Sequence, residues 1–409
     1  MRSRRVARAR WGILIGLLAV LAATNRWEGW TAGMRLLSAR DEAVYRRIAL
    51  AAPHPPQARL PNQNAQEFVC SYVVGLVAHL LGIDVESAFR AAVVAVILGI
   101  CIGLHVALGR SGVSTPAYAV CATVLILNTY SLRYYLIAPG ILADVAFVLA
   151  ITLVLNALIA GRYVLAVVLI ALATLTRQSA VPVGLALAWW VTFAPGWRAA
   201  PARVRLRRAV VIVLTPVVVY LTIIAVASPF SSPTTPGIVG LTILGDLEHL
   251  SSNLGALAVH VLRVANPLFT VGSLTLVSLL AWRRAEPHAK LPSEVTGCLI
   301  VGGSIAVQAL LLNTNYSGHP ERLTVLSLLP FVLALAYLLR SCERAGLAVP
   351  PPTALAVVAL LTVGSLHYLY TIVGPATAAE GAALQLIAAI VVGALLWRAL
   401  AGRPAAGAG

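Results

Sequence analysis

The sequence predicts an all-α integral membrane protein, a polytopic bundle of about 12 transmembrane helices whose first extracytoplasmic loop forms juxtamembrane helices. Three observations lead to this prediction. The chain is 60% hydrophobic and 11% charged, and its mean hydropathy is +0.89. Apolar runs of the length that a spanning helix needs, about 17–25 residues, recur along the chain. The runs are continuous rather than alternating, which excludes a transmembrane β-barrel.

The net charge of +16 over 409 residues is compatible with nucleic-acid binding, but the distribution of the charge argues against it. Arginines stand in short clusters between the apolar runs, where inner-leaflet lipid and membrane topology explain them better. The five cysteines are scattered and lack metal-ligand spacing. We interpret them as small apolar residues rather than as ligands or disulfide partners.

The spanning helices can be assigned in order from the apolar runs. The first run follows a basic N-terminus, as in a signal sequence, but no clear small-x-small cleavage site follows, so we predict an uncleaved first helix. Runs that predict spans lie at residues 11–24, 91–109, 116–132, 141–160, 163–176, 179–195, 209–228, 264–282, 295–312, 323–340, 353–372 and 383–400. The run Phe68–Gly82 would reach only about 22 Å as a helix, less than the roughly 30 Å hydrocarbon core. We therefore predict that it lies on the membrane surface.

The distribution of charge supports this topology. With Phe68–Gly82 on the surface and both termini cytoplasmic, 19 of the 30 basic residues face the cytoplasm and 10 face outward. If the run spanned instead, 14 of those 19 would move outside, against the positive-inside rule. The preferred topology also places 11 of the 14 acidic residues outside, although acids contribute little to orientation. This asymmetry predicts an extracytoplasmic polar site.

The first outer loop, residues 25–90, carries the leading candidates. A helix is predicted near its start, with Asp41 in the first turn and Tyr45 one turn later on the same face. Val44 and Ile48 form an apolar face that we expect to meet the bilayer. Asp41 is interpreted either as a helix-capping residue or as a general base at the membrane surface.

Two other stretches outside the membrane are rich in polar residues, the first of them later in the same loop. Asn62 and Asn64 belong to an amide-rich stretch that suits a hydroxyl-rich ligand such as a sugar, or that forms a solvated turn. Residues 229–253 form a loop rich in serine, proline and threonine, whose acids we interpret as part of a mobile cover.

Asp144 opens an apolar run, where an unpaired carboxylate costs up to a few kcal/mol. Arg133 is the obvious structural partner in the sequence. Alternatively, Asp144 shares a cation with Asp41 or orients a substrate hydroxyl. Tyr134, in the same polar segment as Arg133, is a candidate contact for an acceptor or a sugar.

Two arginines stand at the outer ends of predicted spans. Arg177 lies in a tight turn, from which it reaches lipid headgroups or forks onto a phosphate. Arg322 opens a later apolar run and is the second candidate phosphate ligand. His319 and Glu321 rank below it, because they lack the spacing of a metal or proton-transfer site.

The order and common sidedness of these motifs resemble a GT-C glycosyltransferase. The layout is similar to that of the protein O-mannosyltransferases and of the aminoarabinose transferase that acts on lipid A. The likeness is clearest over residues 1–200, with spans to residue 195, and looser over a variable C-terminal transmembrane module at 201–409. The residues that carry the resemblance are Asp41-Glu42-Ala-Val-Tyr45, Asp144, Thr176-Arg177-Gln178 and Glu321-Arg322-Leu with the later Pro330-Phe331.

This resemblance implies inverting transfer of a sugar from a polyprenyl-phosphate donor to a cell-envelope glycan, lipid or protein on the extracytoplasmic side of a bacterial inner membrane. The catalytic carboxylates would be Asp41, Glu42 and Asp144, and a divalent cation, Mg²⁺ or Mn²⁺, would lie near Asp41 and Asp144. Donor phosphate would meet Arg177, Arg322 and, by an inexact match to the family pattern, Arg59. Tyr45, Asn62, Asn64 and Tyr134 would contact acceptor or sugar.

Two other classes of protein remain open. A secondary transporter also has about twelve spans, but its ionisable site usually lies near the bilayer midplane. A surface-polysaccharide polymerase or ligase uses similar lipid-linked substrates, but such proteins usually rely on a large late outer loop. Here the largest predicted loop comes first, which favours the transferase.

Overall fold

The computed structural model describes residues 2–26, 40–57, 59–232, 254–311, 320–366 and 378–401. These ranges are helical apart from turns, short irregular segments and an isolated bridge between Leu60 and Ser231, and they contain no β-strand. The helices up to residue 200 are α1 Arg2–Thr24, α2 Arg40–Ala51, α3 Asn62–Gln66, α4 Phe68–Leu81, α5 Val85–Ser111, α6 Thr115–Ile126, α7 Leu132–Ile137, α8 Leu142–Ile159, α9 Tyr163–Thr176, α10 Ala180–Phe193 and α11 Pro195–Arg198. The later helices are α12 Ala202–Ala227, α13 Leu254–Ala265, α14 Phe269–Ala285, α15 Ser293–Leu311, α16 Pro320–Thr324, α17 Leu328–Arg344, α18 Pro351–Gly364 and α19 Ala378–Ala401.

The prediction of an all-α membrane protein agrees with this architecture, but the count of about 12 spans is wrong. Among the described residues, eight helices are long and apolar enough to cross a membrane. Four of the predicted spans correspond instead to the shorter helices α6, α9, α10 and α18, which have 12 to 14 residues. Helices of that length rise about 18–21 Å, less than the hydrocarbon core. An apolar run in sequence therefore overstates the length of the helix that it forms.

Two segments form the centre of the bundle. In Pro139–Ile159 and Glu321–Arg344, 83% and 78% of the most apolar stretch is buried inside the protein, against 17% in the peripheral segment Ala202–Phe230. Asp144 lies in the first turn of α8, and Arg322 lies within the short helix that opens the second central segment. The two central segments thus bring charged residues from their N-terminal ends to one end of the bundle.

Helices α2 and α4 pack closely against each other beside this end. A Cβ atom added at Gly75 of α4 would overlap the carbonyl oxygen of Ala49 in α2, so the crossing requires a glycine. Gly82 then ends α4 with a φ of 64°, a left-handed conformation that glycine adopts without strain. At 14 residues α4 is shorter than the spanning helices, and its position on the membrane surface stays a prediction.

The apolar face of α2 does not meet the bilayer as expected, because Val44 and Ile48 are buried. Its neighbours α4 and the short turn Pro139–Ile141 cover it inside the protein. The hydrophobicity of this face is satisfied by protein contacts, which the sequence pattern alone cannot distinguish from lipid contacts.

The segment between α2 and α4 is tied to the peripheral helix α12. The Leu60 amide donates to the Phe230 carbonyl over 2.8 Å, and the Ser232 amide donates to the Leu60 carbonyl over 2.8 Å. The Tyr220 hydroxyl donates to the Gln66 side-chain oxygen over 3.1 Å. These contacts fix the polar stretch that contains Asn64 against the bundle.

Candidate active site

Four of the sequence-predicted residues meet at the end of the bundle. Arg322 Nη1 donates to Asp41 Oδ2 over 3.0 Å, and Arg322 Nε donates to Asp144 Oδ2. Arg177, in the turn between α9 and α10, donates through Nη1 to Asp144 Oδ1. The four residues come from α2, α8, the α9–α10 turn and α16, which no local sequence pattern brings together.

Glu67 extends this group and was missed as a site residue in the sequence. Its Oε1 lies 3.4 Å from Arg177 Nη2, and its Oε2 accepts a hydrogen bond from the Tyr45 hydroxyl. The result is a chain of alternating charge in the order Glu67, Arg177, Asp144, Arg322 and Asp41, which we call the charge chain. The signal that could have identified Glu67 is its place directly before an apolar helix, the same feature that drew attention to Asp144.

Exposure is greatest at the Asp41 end of the charge chain. The side chains of Glu67 and Asp144 are 0% exposed and that of Arg177 is 3% exposed, whereas Arg322 is 13% and Asp41 is 40% exposed. Alternating signs offset the cost of burying these charges, because each carboxylate faces at least one guanidinium. Asp41 is therefore the carboxylate of the chain that faces outward, and the others form a closed floor beneath it.

Asp41 is held in its ionised form. Burial by itself would raise the pKa of Asp41, but the charge of Arg322 and hydrogen bonds from Arg322 and Asn64 outweigh it and lower the pKa below its ordinary value. The Asn64 amide donates to Asp41 Oδ1 over 3.2 Å. An ionised carboxylate with one partly open side can accept a proton from a ligand hydroxyl.

Glu42 points away from the charge chain. It is buried, and its Oε1 accepts a hydrogen bond from the Gly140 amide over 3.0 Å, while its Oε2 has no hydrogen-bond partner among the described residues. Burial is the main cause that raises the pKa of Glu42 from 4.5 to about 7. Gly140 lies four residues before Asp144, so Glu42 connects the helix of Asp41 to the start of the helix of Asp144.

The predicted aromatic contacts lie beside the charge chain. Tyr45 is buried with its hydroxyl on Glu67, which places it under the site rather than at its opening. Tyr134 is buried close to Arg322, and burial raises the pKa of Tyr134 to about 12. Both phenols therefore remain protonated near neutral pH.

The remaining predicted residues have other positions. Arg59 is exposed next to the Leu60 bridge, and the described residues show no contact between it and the charge chain. Arg133 is not the partner of Asp144, since its Nη2 donates to the Ser365 hydroxyl over 3.2 Å. The side chain of Asn62, residues 233–253 and His319 lie outside what the structure describes.

The donor set does not fit a divalent cation between Asp41 and Asp144. Asp144 Oδ1 accepts from Arg177 and, over 3.3 Å, from Arg322 Nη2, and its Oδ2 accepts from Arg322 Nε. Both oxygens of Asp41 also accept N–H groups. No cluster of three or more His, Cys, Asp or Glu side chains able to hold a metal occurs among the described residues.

The fold and this group of residues define a polytopic helical protein with a half-open, charge-paired polar site at one end of its central helices. No family model and no curated protein matches the chain. Among solved structures, it is similar to the arabinofuranosyltransferase AftD from mycobacteria, with 18% identity and a TM-score of 0.45. That match covers 95% of this chain and 27% of the AftD chain.

A mutant form of the same protein gives 17% identity and a TM-score of 0.37, over 90% of this chain and 28% of that chain. The chain thus spans about a quarter of the length of the proteins it matches. Matches of this size do not establish a family, and the function proposed next rests on the residues of the site.

Proposed function

We propose that the protein is a membrane glycosyltransferase that moves a sugar from a polyprenyl-phosphate donor to an acceptor hydroxyl on the extracytoplasmic side, with inversion at the anomeric carbon. One observation carries the proposal: an ionised, partly exposed carboxylate, Asp41, is bonded to Arg322 at the end of a bundle with long apolar helices. Such a bundle gives a lipid-linked donor access from the bilayer, while its sugar reaches a polar site.

Asp41 is the general base in this scheme. It takes the proton of the acceptor hydroxyl as the oxygen forms a bond to the anomeric carbon. The bond between that carbon and the phosphate oxygen breaks, and the electron pair leaves with polyprenyl phosphate. Attack from the face opposite the leaving group inverts the configuration. The exposed side of Asp41 leaves room for the acceptor next to it.

Arg322 stabilises the negative charge that develops on the leaving phosphate. A guanidinium carries five N–H donors, and Arg322 uses three contacts to hold Asp41 and Asp144. Arg177 is enclosed between Asp144 and Glu67. We therefore assign Arg177 to holding Asp144 in place rather than to binding phosphate, and Asp144 to orienting Arg322.

The position of the charge chain favours an enzyme over a transporter. The charge chain lies at the N-terminal ends of the two central segments. Transporters usually bind their substrates near the middle of such segments. The same donors would serve a polysaccharide polymerase, which differs from a monosaccharide transferase in the length of the glycan it releases.

The test is a transfer assay with purified protein, radiolabelled polyprenyl-phosphate sugars and a panel of envelope acceptors. We expect a labelled product whose formation stops in Asp41→Asn, because an amide cannot take the proton. Asp84→Asn is the matched control: Asp84 is an exposed residue of the same predicted loop that caps α5, and asparagine caps helices equally well. Full activity in folded Asp41→Asn would refute the assignment, and a longer released glycan would identify a polymerase.

A further inference from the structure

The place between Asp41 and Asp144, where a divalent cation would bind two carboxylates, is taken by the guanidinium of Arg322. It joins Asp41 Oδ2, at 3.0 Å from Nη1, to both oxygens of Asp144. A guanidinium stays protonated at any pH the protein meets, so it does not vacate this place by titration.

With Arg322 in place, the described residues around it offer too few free oxygen ligands for a cation. Mg²⁺ takes near-octahedral oxygen coordination, and Mn²⁺ prefers carboxylate, carbonyl and water ligands. The third carboxylate of the charge chain, Glu67, lies on the far side of Arg177 and is fully buried. A cation entering this place would also meet two positive charges, Arg177 and Arg322, packed against Asp144.

We propose that Arg322 takes the place of a divalent cation between Asp41 and Asp144, so that the centre works without a metal and this guanidinium offsets the charge that develops on the departing phosphate. The inference has a binding part, that no cation binds between Asp41 and Asp144, and a catalytic part, that transfer needs no metal. The catalytic part rests on the proposed function. Its binding part depends only on the geometry of the charge chain.

The binding part is tested by titrating purified protein with Mn²⁺ and following free Mn²⁺ by electron paramagnetic resonance. We expect wild-type protein and Asp144→Asn to bind the same number of Mn²⁺ ions, because wild-type protein has no stoichiometric site that depends on Asp144. We expect folded Arg322→Ala to gain one site, because it leaves Asp41 and Asp144 facing each other, and Arg322→Ala with Asp144→Asn to lose it. A wild-type site that disappears in Asp144→Asn, or no gain in folded Arg322→Ala, would overturn the proposal.

The catalytic part is tested by chelation in the transfer assay. With EDTA in excess we expect wild-type activity to stay within twofold of its untreated value. A loss of tenfold or more that Mg²⁺ or Mn²⁺ restores would overturn the proposal. If no donor gives a product, the proposed function fails, while the Mn²⁺ titration of wild-type protein still decides whether a guanidinium or a cation holds this site. That titration requires no variant with Arg322 replaced.

Discussion

Arg322 and Asp41 are bonded to each other across 281 positions of sequence, with 3.0 Å between Nη1 and Oδ2. The contact joins a residue near the start of a central segment to the first turn of α2. The residue that we propose as the base and the one that we propose to stabilise the leaving phosphate are thus in direct contact, so a change at one alters the other.

Arg322→Lys should lower kcat by about 10²–10³ while leaving KM within a fewfold. A guanidinium bridges Asp41 and Asp144 simultaneously. A lysine carries a single point charge and cannot bridge both carboxylates in this way. Transfer kinetics with labelled donor measure the effect, and Arg90→Lys, at an exposed pair with Glu86, serves as the control. Equal kcat values for the two variants would show that bridging by Arg322 is not needed.

Arg177→Met should lower the free energy of unfolding by about 3–5 kcal/mol, because it leaves Asp144 and Glu67 buried with less compensation. Arg90→Met should cost under about 1 kcal/mol, since its pair with Glu86 is exposed to solvent. Thermal unfolding of both purified variants measures the difference. Similar losses in the two variants would contradict the view that Arg177 supports the floor of the site.

Glu42 predicts a pH dependence of stability. Folding raises the pKa of Glu42 from 4.5 to about 7. The stability that Glu42 contributes is therefore fully present below pH 4.5 and is lost as the pH rises through 7. Glu42→Gln keeps an oxygen for the Gly140 amide and removes the titration. We expect Glu42→Gln to match wild type at pH 5 and to exceed it by up to a few kcal/mol at pH 8.

Unfolding temperatures measured between pH 5 and 8 test this expectation, read as the difference between the two proteins so that other titrating groups cancel. Besides burial, two charged groups shift the pKa of Glu42: Glu86 raises it and Arg322 lowers it. A difference that does not change with pH would show that Glu42 does not titrate in this range.

Gly75→Ala should destabilise the protein by about 1–3 kcal/mol or more, because its Cβ would overlap the Ala49 carbonyl and separate α2 from α4. The same shift moves Asp41, so transfer activity should fall with stability. Gly109→Ala is the control, since a Cβ there meets no atom of the described residues within 4 Å, and it should stabilise α5 by about 0.5–1 kcal/mol. Unchanged unfolding in Gly75→Ala would show that the crossing tolerates a side chain.

Arg133→Met should raise the free energy of unfolding by about 1–4 kcal/mol. Arg133 is fully buried, its Nε and Nη1 have no hydrogen-bond partner in the part of the chain that the structure describes, and burial lowers its pKa to about 10. Methionine fills a similar volume without the charge, and the Ser365 hydroxyl keeps the Thr362 carbonyl as its acceptor. A loss of stability on thermal unfolding would contradict this account.

The sequence allowed much of the site to be predicted because charged residues are rare in it. Asp144, Arg177 and Arg322 each interrupt or border an apolar run, where a charge needs a partner or a task. The pairing itself could not be predicted, since Arg133 is the nearer cation in sequence while the partners of Asp144 lie 33 and 178 positions away. Such pairings depend on how the helices cross, which local patterns do not encode.

The predicted number of spans and the predicted contact of α2 with the bilayer were wrong for a related reason. Hydropathy reports that a segment avoids water, but it does not report whether protein or lipid covers that segment. Val44 and Ile48 are covered by protein, and α6 and α18 are too short to cross the core as straight helices.

The charge chain takes Asp41, Glu67, Asp144 and Arg177 from the first half of the polypeptide and Arg322 from the second. The 281 positions between Asp41 and Arg322 must therefore be synthesised before the charge chain is complete. Until then Asp144 lacks one of its two counter-ions, and a product that ends before Arg322 would lack the group that we propose to stabilise the leaving phosphate.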